Sequence, residues 1–375
     1  MQDKIPGLYI HIPFCLVKCP YCNFYSETNL STIPDFLNAL QKEMKLVRSQ
    51  SNRYDTVYIG GGTPSVLNPE QLHRLLNNIR NHFILSPDPE ITMEVNPADL
   101  DASFLESLKS SGINRLNIGI QSFEQMTLEF LGRRHSSPQA ISAIEFSRKA
   151  GFENLGLDLI YGVPGQKMKS WMTTLSQALV FAPEHLSCYQ LTVENNTPFG
   201  VRLQKGEFHL PGEDLQHDFF MKTSAILEDA GYIHYEVSNF AKGEKFTSRH
   251  NQKYWDHSPY LGLGPAAHSF SGNQRRWNHQ SLSSYIADLT AGKLPILGTE
   301  TLTLEQLRLE ALALGLRTSK GVNLKNYAED YQYDLFSLKR KILARLQEEG
   351  LLVIQNGFLR PTRAGLAVAD GLALI

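Results

Sequence analysis

HIPFCLVKCPYC, residues 11–22, sets three cysteines, Cys15, Cys19 and Cys22, at spacings of four and three. Thiols crowded on one loop are metal or cluster donors rather than a disulfide framework, which spreads its partners through the chain. The remaining cysteine, Cys188, lies far away in the apolar run LSCYQLTV and reads as a small buried hydrophobe. A closed zinc site takes four protein ligands, commonly from paired C-x2-C units, and the sequence has no second pair. Three readings stand on spacing alone. They are a zinc site completed by His11 or another histidine, ordinary free thiols, and an iron–sulfur cluster with one iron open to an outside ligand.

The cysteine loop follows the run GLYIHIP (7–13), which is the first of a repeating unit: a short β-branched or aromatic stretch, a loop, then an amphipathic stretch. Further runs are YDTVYIGGGTPS (54–65), EITMEVNP (90–97), RLNIGIQSF (115–123), NLGLDLIYGVPG (154–165) and HLSCYQLTVENNTP (185–198). IPDFLNALQKEMKLV, PEQLHRLLNNIRNHF and SPQAISAIEFSRKAG read as helices between them, the last stopping at Gly151. Strands alternating with helices predict a parallel sheet, either doubly wound or curved into a barrel. Groups suited to ligand contact stand at the ends of many strands: the cysteines, Gly60 to Thr63, Glu94, Gln121 and Asp158. A flat sheet gathers such groups near one switch point, whereas a barrel brings all strand ends to one centre, so a partial or complete (β/α) barrel is expected.

Past residue 300 the pattern changes. TLEQLRLEALALGLRT and LFSLKRKILARLQEEG read as helices, and LLVIQNGFLRPT as a hairpin on Asn356-Gly357, so a small winged-helix-like domain is expected at 296–375 after a first unit at 1–295. A chain of 375 residues with 42% hydrophobic and 20% charged residues suits two such globular units. A formal charge of −2 leaves no basic footprint, so the winged-helix pattern reads as a packing or lid domain rather than a nucleic-acid binder. The start MQDKIPGLYIHIP lacks the charged and apolar segments of a signal peptide, and no run reaches a membrane span, so a cytoplasmic protein is expected.

C-x3-C-x2-C with Tyr21 before the last cysteine, following a first strand, resembles the radical S-adenosylmethionine (SAM) superfamily. The resemblance implies a barrel of the radical SAM type, a 4Fe–4S cluster on Cys15, Cys19 and Cys22, and SAM on the fourth iron. YIHIPFCLVKCPYCNF, YIGGGTPS, EVNP, GIQSF, LGRRH and LDLIYGVPGQ are similar to the branch holding the anaerobic coproporphyrinogen III oxidases and the HemW-type heme chaperones. Carried over by position, that likeness implies SAM contacts at Tyr9, Tyr21, Gly61, Gly62, Thr63, Glu94, Gln121, Arg133 and Asp158. Read singly, the glycines are a tight turn, Glu94 and Asp158 helix N-caps, and Arg133 a surface charge.

Two departures separate the chain from the oxidases of that branch. Phe24 stands where they carry a further cysteine, and only eight residues precede Tyr9 where they carry a longer segment. Both imply that oxidative decarboxylation of coproporphyrinogen is not its reaction. They also put a second SAM site in question. RHNQKYW, with His250, Asn251, Tyr254 and Trp255, resembles the H-N-x-x-Y-W motif of the heme chaperones. An imidazole can ligate heme iron, flat rings can cover the macrocycle and Arg249 can meet a propionate, although a core loop with satisfied side chains gives the same letters. His257 and His268 compete as ligands. The expectation is a heme chaperone using a SAM-ligated cluster, with heme and an unnamed acceptor protein as partners, an acceptor that could itself be a membrane protein. No nucleic acid is expected. The alternative is the oxidase.

Overall fold

The computed structural model describes residues 4–48 and 53–375. Six parallel strands, β1 (Gly7–Ile12), β2 (Arg53–Gly61), β3 (Ile84–Val95), β4 (Arg115–Gln121), β5 (Leu155–Tyr161) and β6 (His185–Gln190), lie side by side in chain order. An order without reversal has no switch point. The doubly wound alternative is thereby excluded, and the helices Ile33–Val47, Pro69–His82, Ala102–Ser110, Ser137–Lys149 and Met168–Val180 share one face. Their ends follow local chemistry: Asn68 with Gln71 and Ser136 with Gln139 form capping boxes, and Gly151 at φ +83° ends the helix expected to stop there.

Further strands extend both edges. β8 (Asn239–Ala241) pairs antiparallel with β6 and β7 (Ile233–Glu236) antiparallel with β8; at the other edge β9 (Tyr260–Leu263) pairs parallel with β1, and β10 (His268–Ser271), β11 (Gln274–Asn278) and β12 (Ile296–Thr301) follow antiparallel. β7 and β12 are the two edges and do not pair with each other, so the barrel is partial. Ile296–Thr301, where the C-terminal unit was expected to begin, pairs along β11.

The six parallel strands alternate cleanly. Leu8, Ile10, Val57, Ile59, Leu116 and Leu157 face the helices in one large core, and Cys188 joins it. The opposite face carries Tyr9, His11, Tyr58, Glu94, Asn117 and Asp158. Period-2 alternation therefore gives a dry outer layer and a polar interior that can receive a ligand.

A separate core of Leu312, Leu316, Leu343, Leu352 and Leu359 with their neighbours holds the C-terminal unit. Its order is helix Leu304–Gly315, strand β13 (Val322–Asn323), helices Leu324–Tyr331, Leu335–Leu338 and Arg340–Glu348, then the hairpin β14 (Leu352–Gln355) and β15 (Phe358–Pro361). Asn356 and Gly357 both have positive φ, as a two-residue hairpin turn requires. Among the described residues no helix is long and apolar enough to cross a membrane.

Candidate functional site

The cysteine loop leaves the C-terminal end of β1. It is anchored where Cys15 N donates to Glu27 O (3.0 Å) and Glu27 N donates to Pro13 O (2.8 Å). The glycine turn after β2 buttresses it from below: Gly62 N donates to Ile12 O (2.8 Å) and Thr63 N to Phe14 O (2.7 Å). Gly61 has φ +107°, and a Cβ there would fall 2.5 Å from His11 Nδ1, while a Cβ on Gly62 would fall 2.6 Å from Phe14 O. Glycine is needed at both positions for the loop and turn to meet.

All three loop cysteines are free of disulfides, with Cys15 buried and Cys19 and Cys22 half-buried. Thr63 Oγ1 lies 3.3 Å from Cys15 Sγ and Arg133 Nη1 lies 3.6 Å from Cys19 Sγ. Burial pushes the Cys22 thiol up, and the two neighbouring cysteines add to the rise. Among the described residues no three Cys, His, Asp or Glu side chains converge as a single bound ion would require. His11, the nearest histidine, has both nitrogens engaged: Nδ1 with Tyr9 OH (3.0 Å) and Nε2 with Tyr25 O (2.9 Å). Burial also holds its pKa down to about 4. In this arrangement His11 is a wall of the barrel and has no nitrogen free for a metal.

Glu94, Gln121, Arg133 and Asp158 are half-buried at the same end, and none is a helix cap or a surface charge. Glu94 accepts from Tyr58 OH (2.7 Å) and Gly61 N (3.3 Å); burial, with Asp158 nearby, pushes its carboxyl up to about 7. Asp158 accepts from Asn117 Nδ2 (2.7 Å), and burial raises it as well. Gln121 ends β4 at φ +64°, a left-handed conformation costly for a non-glycine residue, where the β4–β5 register shifts. Arg133 Nη2 donates to Gly119 O (2.8 Å), and Tyr21 lies beside its guanidinium and against Phe199. Gln121 Oε1, Arg133 Nε and Asp158 Oδ1 are buried with no hydrogen-bond partner among the described residues. Phe24, by contrast, points outward at 66% exposure.

The H-N-x-x-Y-W segment forms the helix Arg249–Trp255, capped by Ser248. Glu90, low on β3, accepts from Arg249 N (3.2 Å) and His250 N (3.1 Å), and Asp55, near the start of β2, pairs with Lys253 (2.7 Å). These anchors place the helix across the N-terminal ends of the strands, the end opposite the cysteines. His250 is 1% exposed. Its Nδ1 meets Thr56 Oγ1 (2.9 Å), its Nε2 meets Tyr254 OH (3.0 Å), and its ring stacks on Tyr58 at 5.2 Å. Burial, with Lys253 and Arg115 nearby, holds it neutral, at about 3. Neither nitrogen is free in this arrangement. Asn251 N donates to Ser248 Oγ, Tyr254 packs edge-on against Tyr260, and Arg317 covers the Trp255 ring at 5.3 Å. His257 stacks on Phe270 with Glu310 3.4 Å away, and His268 stacks on Trp277.

Motif reading passed over Thr56, Tyr58, Glu90 and Arg115, which line the same interior. Their signal was the period-2 alternation itself, as in Glu90, Thr92 and Glu94, which marks an inner face more polar than a packed barrel needs.

Comparison with known proteins follows the same division. The radical SAM superfamily matches residues 9–178 and the HemN C-terminal domain matches residues 302–368. The chain is 40% identical to the heme chaperone HemW of Bacillus subtilis over 349 residues, 92% of each chain. It is 34% identical to the heme chaperone HemW of Mycobacterium tuberculosis over 374 residues, 98% of this chain and 93% of that one. Among solved structures, the coproporphyrinogen III oxidase HemN from Escherichia coli matches with a TM-score of 0.85 at 23% identity, over 99% of this chain and 90% of that chain, a likeness of fold.

Proposed function

Because the chain belongs to the radical SAM superfamily, in the family of the heme chaperone HemW, we propose that it binds heme and passes it to an acceptor protein. A 4Fe–4S cluster on Cys15, Cys19 and Cys22 with SAM on its open iron would supply one-electron chemistry, or a ligand state that regulates transfer. The carrying observation is the set of orphaned atoms at the cysteine end. Gln121 Oε1 and Asp158 Oδ1 are acceptors suited to amino or hydroxyl groups, and Arg133 Nε is a donor suited to a carboxylate. Glu94, with its raised pKa, can accept charge when a cationic ligand approaches. Tyr21 lies beside Arg133 and Tyr9 stacks on Tyr58, whose hydroxyl is bonded to Glu94, and Gly61, Gly62 and Thr63 fix the height of the loop. Phe24, Leu16 and Val17 leave apolar surface on the cysteine loop that suits a macrocycle or an acceptor.

The H-N-x-x-Y-W helix enters this reading with a condition. His250 can reach a heme iron only after one ring nitrogen releases its partner, Thr56 at Nδ1 or Tyr254 at Nε2, while Tyr254, Trp255 and Asn251 are already half-exposed. The first unit (1–295) and the C-terminal unit (296–375) meet at β12 in this scheme, and the setting is the cytoplasm. The test is heme titration and transfer to apo-acceptor, with and without cluster and SAM. Saturable binding, weakened in His250→Ala, is expected; if neither protein binds heme the reading fails. Incubation with coproporphyrinogen III, SAM and reductant should leave the substrate unchanged, and protoporphyrinogen at catalytic turnover would make the oxidase reading correct.

A further inference from the structure

Below the residues just assigned, the barrel interior holds a second polar layer. Arg115 opens β4 with its side chain inward, and at 1% exposure it is among the largest fully buried side chains of the protein. Its neighbour in register on β3 is Thr92, which is fully buried. Its guanidinium arches over Gly156 on β5: a Cβ there would fall 3.5 Å from Arg115 Nη2 and 2.2 Å from Asn117 Oδ1. Gly156 is in register with His185 on β6, so the absence of a side chain leaves a passage from Arg115 towards that imidazole.

This layer is unsatisfied. Thr92 Oγ1, Arg115 Nε and His185 Nδ1 are all buried without a hydrogen-bond partner among the described residues. His185 Nε2 is held by Tyr235 OH at 2.7 Å, which fixes the ring and leaves Nδ1 as its open nitrogen. Among the described residues no carboxylate makes a direct ion pair with Arg115, although Glu94 and Asp158 feel its charge. Glu94 and Asp158 face it from one layer above and are engaged by Tyr58, Gly61 and Asn117. A guanidinium cannot shed its charge, and burying it without a partner costs several kcal/mol in general. Three strands thus set a guanidinium, a hydroxyl and an imidazole in one layer of the interior, each with a buried atom that has no hydrogen-bond partner among the described residues.

We propose that Arg115, Thr92 and His185 form an anion site on the barrel floor that takes a carboxylate, separate from the SAM-binding layer above. The carboxylate is either a small free acid or one arm of a larger ligand in the barrel. Access is from above, where Tyr189, on the inner face of β6, is 39% exposed. The site does not depend on the heme reading, and its test uses other probes.

The purified full-length protein is titrated with formate, following the thermal midpoint, and its crystals are soaked in bromide for an anomalous map. A saturable upward shift with formate and a bromide peak beside Arg115 are expected. Thr92→Val, which removes one donor and keeps the shape, should weaken formate binding roughly tenfold. Arg115→Met should abolish it, with the bromide peak gone. Adding hemin distinguishes the sources, because displacement of bromide identifies the carboxylate as an arm of the tetrapyrrole and retention identifies a free acid. Ordered water alone at the floor, with no formate shift in wild type, overturns the proposal. So does a formate response unchanged in Thr92→Val, which folds even if Arg115→Met does not.

Discussion

The two ends of the barrel are built from similar residues and finished in opposite ways. At the cysteine end a carboxylate, an amide and a guanidinium keep buried atoms without partners, and one residue, Gln121, is held at positive φ. At the other end the Arg249–Trp255 helix spends its polar groups on the protein. Glu90 takes its first amides, Asp55 takes Lys253, and His250 is bonded at both nitrogens. Trp255 Nε1 is the one buried side-chain atom of that helix without a partner among the described residues, so the helix is held almost wholly by its own bonds and acts as a plug, whereas the clustered orphans at the cysteine end mark a place prepared for something else. The motif that chemistry alone suggests as a heme ligand therefore lies, in this arrangement, at the sealed end.

The largest effect should come from the open end. Anaerobic reconstitution should give a 4Fe–4S cluster in the wild type and none in the Cys15, Cys19, Cys22 triple Ala variant, measured by iron content and visible absorption. The apo-protein's unfolding midpoint should barely move, because those thiols make only long contacts to Thr63, Arg133 and Gly132. Iron retained in the triple variant would sink the cluster assignment.

The next two effects have opposite signs on the pH axis. Glu94 is raised from 4.5 to about 7, so its contribution to stability is complete below about pH 4.5 and is lost as pH rises through 7. That loss amounts to at most about 3 kcal/mol, and Glu94→Gln should remove it, flattening a urea-midpoint profile of the apo-protein between about pH 4.5 and 7. His250 is lowered from 6.5 to about 3, so its contribution is complete above about pH 6.5 and is lost as pH falls. At pH 5 the loss is about 2 kcal/mol, and His250→Gln should recover it relative to its own stability at pH 7.5. His11, His135 and His234 are lowered in the same direction, so the difference between variant and wild type, not the wild-type profile, isolates His250. Parallel profiles for either pair would mean that the residue is not buried as described.

Much of this was legible beforehand, for reasons specific to each feature. The cysteine triad is local, so spacing revealed it. The strands were legible because alternation survives wherever one face meets helices, and the Asn356-Gly357 turn because few dipeptides tolerate two positive φ angles. Alternation says which side a residue faces but not what stands across the barrel. It could not tell that Gly61 makes room for His11, nor that Arg115 Nε would be left without a hydrogen-bond partner among the described residues. The helix holding His250 has seven residues, too few for a periodic signal, and its anchor at Glu90 is 159 positions away from Arg249. The motif could therefore be spotted by its letters, but its depth in the fold was not readable from them.

That long-range anchor gives the smallest and most local test of the sealed end. Glu90 places its two carboxylate oxygens on the first two amides of the Arg249–Trp255 helix, while Ser248 Oγ takes the amide of Asn251. A negative charge on those amides is favourable through both hydrogen bonding and the helix dipole. Glu90→Gln keeps the shape and one acceptor but loses the charge, which should cost about 1 kcal/mol. Because the helix is a plug rather than part of the main core, the loss should appear as faster amide exchange confined to 249–255, with protection of β1 to β6 unchanged. If His250 must leave Thr56 to meet heme, the same substitution should also speed heme uptake, since it loosens the plug without touching a proposed ligand. Faster exchange with unchanged heme kinetics would leave the plug in place and remove His250 from the path of heme.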